Sequence, residues 1–313
     1  MKHWNHINSN KGMVNELSDF INELENSRKI FLPNLQPANN LYIFSDYSSN
    51  KEQQLIGYSI LILDEDSVNT FANTQKIFWE DYSLGTNIIE YKRLNYGPNE
   101  RALIPFLQFC NLLNGLLFTV LIHKNIKSLF AAEIPKSLED QIIVWEKKYV
   151  REKFLRLREF MLVILNGLGR QSQNVFWITD NDEIVANDLQ LSTANNILKQ
   201  SFDKHLNFNI GKFELKTLDI DSPDKCFEKL CSLTDLTAGG LVDFLGDYHS
   251  ASIFPKADEI AKPIPHKKLK VNAITNWLSK TEKENSLKKI TIKITEIDNG
   301  ILNIEALRFP QIK

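Results

Sequence analysis

The sequence predicts an α/β protein with a mixed sheet, and three observations carry that reading. Near-continuous apolar runs recur at "LYIFSD" (41–46), "QLIGYSILILD" (54–64), "LLFTVLIHK" (116–124) and "NVFWITD" (174–180), the pattern of strands inside a sheet. Segments with apolar residues at helical spacing lie between and after them. A terminal pair of alternating runs turns at Asn299-Gly300, the strongest short hairpin signal. Strands followed by strand–helix alternation give the order β-β-β-α-β-α-β-α, which is α/β with helices flanking the sheet.

Each element has its own warrant. Residues 12–30 place Val14, Leu17, Ile21 and Leu24 on one face of an opening helix, and "PNLQPANN" ends it with two prolines. The strands at 41–46 and 54–64 follow, then a less regular stretch. Ile88 to Leu94 alternates as a third strand. Pro98 and Glu100 suit the first turn of a helix running to about Asn114, stopped by Gly115. The strand at 116–124 is buried on both sides. Residues 145–168 carry Val150, Phe154, Leu157, Met161, Leu165 and Leu168 on a helical face, with a basic remainder that includes Arg156 and Arg158. Such a face is either solvated or able to follow a nucleic-acid backbone. Helices are expected at 188–204 and 224–244, a proline-bearing connector at 249–269, and a short helix around Trp277. The closing hairpin changes apolar parity between Ile294 and Ile297, the mark of a β-bulge. The expected organisation is a lead-in at 1–40, an α/β core at 41–248, and a C-terminal helix-plus-hairpin extension at 249–313.

Composition limits the function classes. With 37 basic against 39 acidic side chains and a net charge of -2, the chain is not a generic nucleic-acid binder held by bulk charge, though a local basic groove is compatible with it. Cys110, Cys226 and Cys231 match no zinc or disulfide spacing, so reduced buried thiols in a cytoplasmic protein are expected. The N-terminal stretch lacks the apolar core of a signal peptide. The apolar stretch 102–122 contains Pro105, Gln108, Asn111, Asn114 and Gly115 and divides into a helix and a strand, so no membrane span is expected.

The chemistry centres on carboxylates. Two buried strands end in aspartate, Asp46 and Asp180. Neighbouring strands lie ~4.8 Å apart, so carboxylates at one sheet edge can approach each other. They then repel unless protonated or bridged by a divalent cation. Mg²⁺ or Mn²⁺ held by such oxygens activates water for phosphodiester cleavage. The structural alternative is that aspartates after a strand make turns or cap the next helix. Asp235 lies in the apolar helix segment "CSLTDLTAGGLVDFLG", where an ionised group is costly unless paired or coordinated. Its alternatives are a solvent-facing position or a bond to a nearby backbone amide. Asp182 is a further ligand candidate. Glu90 is a fourth carboxylate and Lys92 a phosphate contact, with a surface Glu–Lys pair as the alternative. His123, at the end of a buried strand, is either a general base or a satisfied histidine.

With these residues collected, the chain resembles an uncharacterised bacterial family of ribonuclease H-like proteins with an aspartate ending the first strand. "FSDYSS" (44–49), "EYKRLNYGPNERALIPFL" (90–107), "WITDNDEIVAN" (177–187) and "TDLTAGGL" (234–241) carry the resemblance, which spans residues 41–246. It implies a ribonuclease H-like fold and a metal-dependent nuclease, with Asp46, Asp180 and Asp235 as ligands and Asp182 beside them. Two departures stand out: Ser49 where related sequences often have glycine, and His123-Lys124 where ribonuclease H enzymes place a carboxylate. The leading expectation is a divalent-metal-dependent nuclease or phosphodiesterase acting on DNA or RNA, with a small-nucleotide hydrolase as a weaker variant. The alternative is a non-catalytic module binding nucleic acid or a partner protein, in bacterial defence or a mobile element. Homo-oligomerisation is compatible with either.

Overall fold

Strand-compatible runs and amphipathic helices assemble, in the computed structural model, into a mixed α/β protein. The structure describes residues 4–5, 12–49, 54–95, 97–129, 140–221, 223, 225–250, 268–280, 285–296 and 302–309. Two compact units divide the chain, one of residues 1–43 and 127–220, the other of residues 44–126 and 221–313. The boundary falls inside the first strand, β1 (Asn40–Ser49).

The first unit is built around α4 (Lys148–Leu168), buried at every position from Phe154 to Leu168. The amphipathic α1 (Gly12–Asn26) packs against it. Trp4 fixes this contact, donating Nε1–H to Ser18 Oγ at 3.0 Å, while Asn5 N–H donates to the Gly167 carbonyl at 2.8 Å. β4 (Asn174–Thr179) lies between the start of β1 and β5 (Phe213–Thr217). β4 and β5 are parallel, with Val175 opposite Phe213. Asn174 bonds Asn40 at 2.8 Å and Phe176 stacks on Tyr42 at 5.2 Å, so the two strands advance in step. α5 (Asp188–His205) covers β5 and begins at Asn187, whose side chain accepts from Gln190 N–H.

The second unit carries the remainder of β1 and, beyond it, β2 (Leu55–Asp64), β3 (Gly115–His123), β6 (Leu287–Glu296) and β7 (Leu302–Ala306), in that order. β2 and β3 are antiparallel, β3 and β6 parallel, and β6 and β7 antiparallel. At the buried centre Ser59 stands opposite Thr119, and the two hydroxyls bond at 3.1 Å. Among the described residues, the α-helices of this unit are α2 (Glu65–Asp81), α3 (Gly97–Cys110), α6 (Cys226–Ser250) and α7 (Leu269–Ser279). α6 lies over β2 and β3, and α7 packs on α6 and α3. The C-terminal helix and hairpin therefore join the fold directly, with β6 paired along β3 for eight residues.

Several sequence expectations need correction. Ile88–Leu94 is not a strand: it is irregular backbone leading into a 3-10 turn at Tyr91–Arg93. Ile88, Ile89, Tyr91 and Leu94 are all buried while Lys92 and Arg93 are exposed, a pattern without a strand's alternation. The stretch after β2 is the regular helix α2, capped by Asp64, which accepts from Ser67 N–H at 2.8 Å. β5 was not anticipated. β1 runs past Asp46 to Ser49 instead of ending at the aspartate. The β6–β7 pairs from Ile292–Ala306 to Glu296–Leu302 are unbroken, so no bulge interrupts the described ladder. Ile297 and the Asn299-Gly300 turn lie outside the described residues, as does most of the expected connector.

Several basic side chains are engaged inside the protein. Arg156 and Arg158 are 2% and 1% exposed and pair with Glu152 and Glu159. Lys153 pairs with Glu183. Near the C-terminus, Lys289 donates to the Trp277 carbonyl at 2.9 Å and lies over its ring. The expected solvated or phosphate-following face of α4 is thus absent at Arg156 and Arg158, whose guanidinium groups sit in the core. No described helix is long and apolar enough to cross a membrane, and the three cysteines are buried and form no disulfide.

Candidate functional site

In the second unit the site is organised by a helix with small residues. A Cβ at Gly239 of α6 would stand 2.6 Å from Tyr91 Cδ1 and 2.7 Å from Cγ, so only glycine lets the 3-10 turn press against the helix. A 3-10 turn leaves its first N–H groups without internal partners. Glu90, which precedes the turn, makes no side-chain capping bond. Asp235 caps it from outside: its Oδ2 accepts Tyr91 N–H at 2.6 Å. Asp235 makes no other hydrogen bond among the described residues.

That contact gathers a charged cluster. Burial pushes the Asp235 carboxyl above the ordinary carboxylate range; the Tyr91 amide opposes this, the Glu90 charge adds to it, and Lys92 and Lys270 oppose it. Lys270 donates to the Tyr91 carbonyl at 2.9 Å and lies 4.1 Å from the centre of its ring. Burial pushes the Lys270 ammonium below its usual range and Lys268 adds to this, against Asp243 and Asp235. Two turns along α6 from Asp235, Asp243 Oδ2 accepts the Tyr91 hydroxyl at 2.7 Å and Lys268 Nζ at 2.6 Å. Burial raises the Asp243 carboxyl, but the bonds from Lys268 and Tyr91 outweigh it and hold the group low. Two carboxylates eight residues apart on one apolar helix thus carry opposite shifts. The one without a direct cationic partner is raised.

Asp46 belongs to the same side of the sheet as α6, as strand parity shows. Side chains alternate along a strand. Phe44, two residues before Asp46, meets Phe227 of α6 with ring centres 5.9 Å apart. Tyr47, the next residue, meets Tyr58 of β2 at 6.3 Å. Tyr58 faces away from α6, because its neighbour Gly57 is the residue packed on Val242 and Ala238 of that helix. Asp46 also accepts the N–H of Tyr47 at 2.7 Å.

The remaining predicted residues have plainer surroundings. Glu90 pairs with Arg93 at 3.3 Å, with both side chains substantially exposed. Lys92 is exposed in the 3-10 turn. In the first unit, Asp180 directly follows β4, and its Oδ1 accepts Asn181 N–H at 2.8 Å. Asp182 N–H donates to the Asp180 carbonyl at 3.0 Å, and Asp182 Oδ1 accepts Ile184 N–H at 2.8 Å. Both therefore make the local turn bonds that aspartates favour. His123 Nδ1 accepts Asn125 N–H at 3.3 Å, and burial lowers its pKa against the pull of Glu296.

The structure thus brings Glu90, Lys92 and Asp235 together around Tyr91 and puts Asp46 on the same sheet face. Sequence reasoning missed Tyr91, Asp243, Lys268 and Lys270. Asp243 carried a signal, being a second carboxylate two turns beyond Asp235 on an apolar helix. The lysines carried none, since only the packing of α7 brings them to this place.

Carboxylate oxygens are the hard donors that Mg²⁺ and Mn²⁺ take. Among the described residues no three His, Cys, Asp or Glu side chains stand together as a cation cage. Mg²⁺ is commonly held by one or two carboxylates, with water and substrate phosphate completing the shell. The half-satisfied, charge-disfavoured carboxylate of Asp235 fits that donor type.

No family model matches this chain, and no curated protein matches it. Among solved structures, ribonuclease H2 from Pyrococcus horikoshii OT3 is similar at 12% identity and a TM-score of 0.34, over 76% of this chain and 85% of that one. Likeness at that level supports no conclusion about function.

Proposed function

We propose that the protein is a ribonuclease H-like, divalent-metal-dependent nuclease or phosphodiesterase acting on DNA or RNA. In this reading Asp46 and Asp235 hold Mg²⁺ or Mn²⁺, Glu90 adds negative charge beside them, and Lys92 meets substrate phosphate. The observation that carries it is the state of Asp235: a carboxylate raised by burial and by Glu90, with one oxygen used, on the sheet face that Asp46 shares. A cation reverses the penalty on the ionised form.

The chain's own groups have distinct tasks. Tyr91 N–H orients the Asp235 carboxylate through Oδ2. Lys270, anchored on the Tyr91 carbonyl, holds that turn in place. Lys92, exposed beside the carboxylates, is available to a phosphate oxygen. A divalent ion held there would supply charge neutralisation and a lowered pKa for water.

A second reading, a non-catalytic module binding nucleic acid or a partner protein, is favoured by the position of His123-Lys124 at the end of β3, where no carboxylate stands. One experiment separates the two. Wild type, Asp46→Asn and Asp235→Asn are incubated with labelled single- and double-stranded DNA and RNA and Mg²⁺ or Mn²⁺. Cleavage by wild type, lost at least ~100-fold in both variants, is the expected result, since removing a group that acts in the transition state costs several kcal/mol. Equal cleavage by all three, or none by wild type despite retained binding, rejects the catalytic reading. Asp180→Asn and Asp182→Asn in the same assay measure whether those carboxylates contribute.

A further inference from the structure

Asp243 is a second carboxylate on α6, 8% exposed, and has no task in the cation site proposed above. Side chains four residues apart on a helix stand one above the other, so Cys231, Asp235, Gly239 and Asp243 form a single row. From Asp235 to Asp243 the row rises ~12 Å, at ~1.5 Å per residue. Each member has a contact. Cys231 Sγ donates to the Ser45 carbonyl at 3.7 Å, seating the helix on β1 directly beside Asp46. Asp235 accepts the Tyr91 N–H at 2.6 Å, Gly239 leaves room for the Tyr91 ring, and Asp243 accepts the Tyr91 hydroxyl at 2.7 Å. Tyr91 therefore lies lengthwise along the row, with a carboxylate at each end.

The turn that carries Tyr91 is a single three-residue 3-10 turn without a side-chain cap from Glu90, a weak element by itself. Its place is set by what the Tyr91 side chain and carbonyl hold. The hydroxyl bond fixes the far end of the ring, and Asp243 is in turn bonded by Lys268 at 2.6 Å at the start of α7. We propose that Asp243 is a positioning residue of the carboxylate site: by holding the Tyr91 hydroxyl it fixes the Tyr91 amide, and through that amide the Asp235 carboxylate, in the orientation that receives a divalent cation. The last step rests on the metal reading above. Direct attraction of the ion by the Asp243 charge is the competing account. It is weak over ~12 Å at physiological salt, where the screening length is ~8 Å.

The test is a double-mutant cycle on the full chain with Tyr91→Phe, Asp243→Ala and their combination, and with Asp243→Asn beside it. Tyr91→Phe removes one oxygen and keeps the ring on Gly239, so it preserves the fold. The first readout needs no metal: the amide-proton resonance of residue 91 in ¹⁵N-labelled protein. A short bond to a carboxylate places it at low field in wild type. Both single variants are expected to move it upfield, and the combination no further. The second readout is calorimetric titration with Mn²⁺. Each single variant is expected to weaken binding about tenfold, the lower end of the effect of outer partners on metal affinity. The combination is expected to match either single variant, because both break one bond. Asp243→Asn, which keeps an acceptor and loses the charge, is expected to lose less than Asp243→Ala. Additive losses, or equal losses in Asp243→Asn and Asp243→Ala, would mean that Asp243 acts by charge, and overturn the proposal. An unmoved residue-91 resonance in Tyr91→Phe overturns it alone and leaves the metal reading standing. Absence of Mn²⁺ binding by wild type rejects the metal reading, and with it any positioning toward a cation.

Discussion

Replacing Gly239 by alanine is a sensitive probe of the carboxylate site, because the structure sets both the sign and the mechanism of its effect. The added methyl would meet Tyr91 Cδ1, Cγ and Cβ at 2.6, 2.7 and 3.1 Å. Ordinary carbon contacts lie at ~3.5–4.0 Å, so the ring must retreat by about 1 Å. It is not free to do so. Its amide is bonded to Asp235 at 2.6 Å, its hydroxyl to Asp243 at 2.7 Å and its carbonyl to Lys270 at 2.9 Å. Overpacking of this kind costs about 1–3 kcal/mol, and losing a hydrogen bond to a charged group adds about 1.5–3 kcal/mol. Alanine's better helix propensity returns about 1 kcal/mol. The net expectation is a destabilisation of about 1.5–5 kcal/mol, read by urea unfolding followed by far-UV circular dichroism. In a Tyr91→Ala background the ring is gone and only the Cβ contact at 3.1 Å remains, so the same Gly239→Ala change is expected to lose most of its cost, alanine's better helix propensity offsetting about 1 kcal/mol of what is left. If Gly239→Ala costs the same in both backgrounds, Tyr91 is not what the glycine accommodates, and the packing account of the site fails.

Two further outcomes follow from the same reasoning. The Asp235 carboxyl is raised in the folded state by burial, Glu90 adding to this, so its contribution to stability is present below the ordinary carboxyl pKa and lost as pH rises through the raised value. Asp235→Asn, which keeps an acceptor for Tyr91 N–H, is therefore expected to be more stable than wild type near pH 7 in metal-free buffer. The two should converge near pH 3, and a gap that is constant with pH would refute the assignment. In the first unit, Gln173 is 1% exposed. Its Nε2 donates to the Leu35 and Ala38 carbonyls at 2.8 Å, and its Oε1 accepts Arg170 N–H at 2.8 Å. Gln173→Leu is expected to cost about 2–4 kcal/mol by leaving buried backbone groups unpaired; a chemical-denaturation midpoint equal to wild type would show that solvent replaces these bonds.

Local patterning determined much of this protein. The long apolar runs of β2 and β3 could only be interior strands. The heptad-like apolar face of α4 could only be a buried helix. These signals are legible because side-chain periodicity and volume act over a few residues. Elsewhere the reading failed: the residues from Ile88 to Leu94 suggested a strand's alternation, yet adjacent Ile88 and Ile89 are both buried, and Tyr91 instead packs against Gly239 of α6. The helix α2 was marked by Asp64 and Ser67 at its start, yet its half-polar face hid it behind the strand that precedes it.

Charge was the least legible property. Arg156 and Arg158 read as a basic surface because nothing in their sequence neighbourhood reveals that the whole of α4 beyond Phe154 is enclosed. Asp235 was conspicuous as a carboxylate in an apolar helix, but its partner is a backbone N–H from a turn 144 residues away. The lysines that flank it come from α7. Sequence alone determined which side chains are present and which faces of the helices and strands are apolar. Tertiary structure decided which charges meet, because the free energy of a carboxylate depends on the burial and the donors around it, and those are supplied by segments distant along the chain.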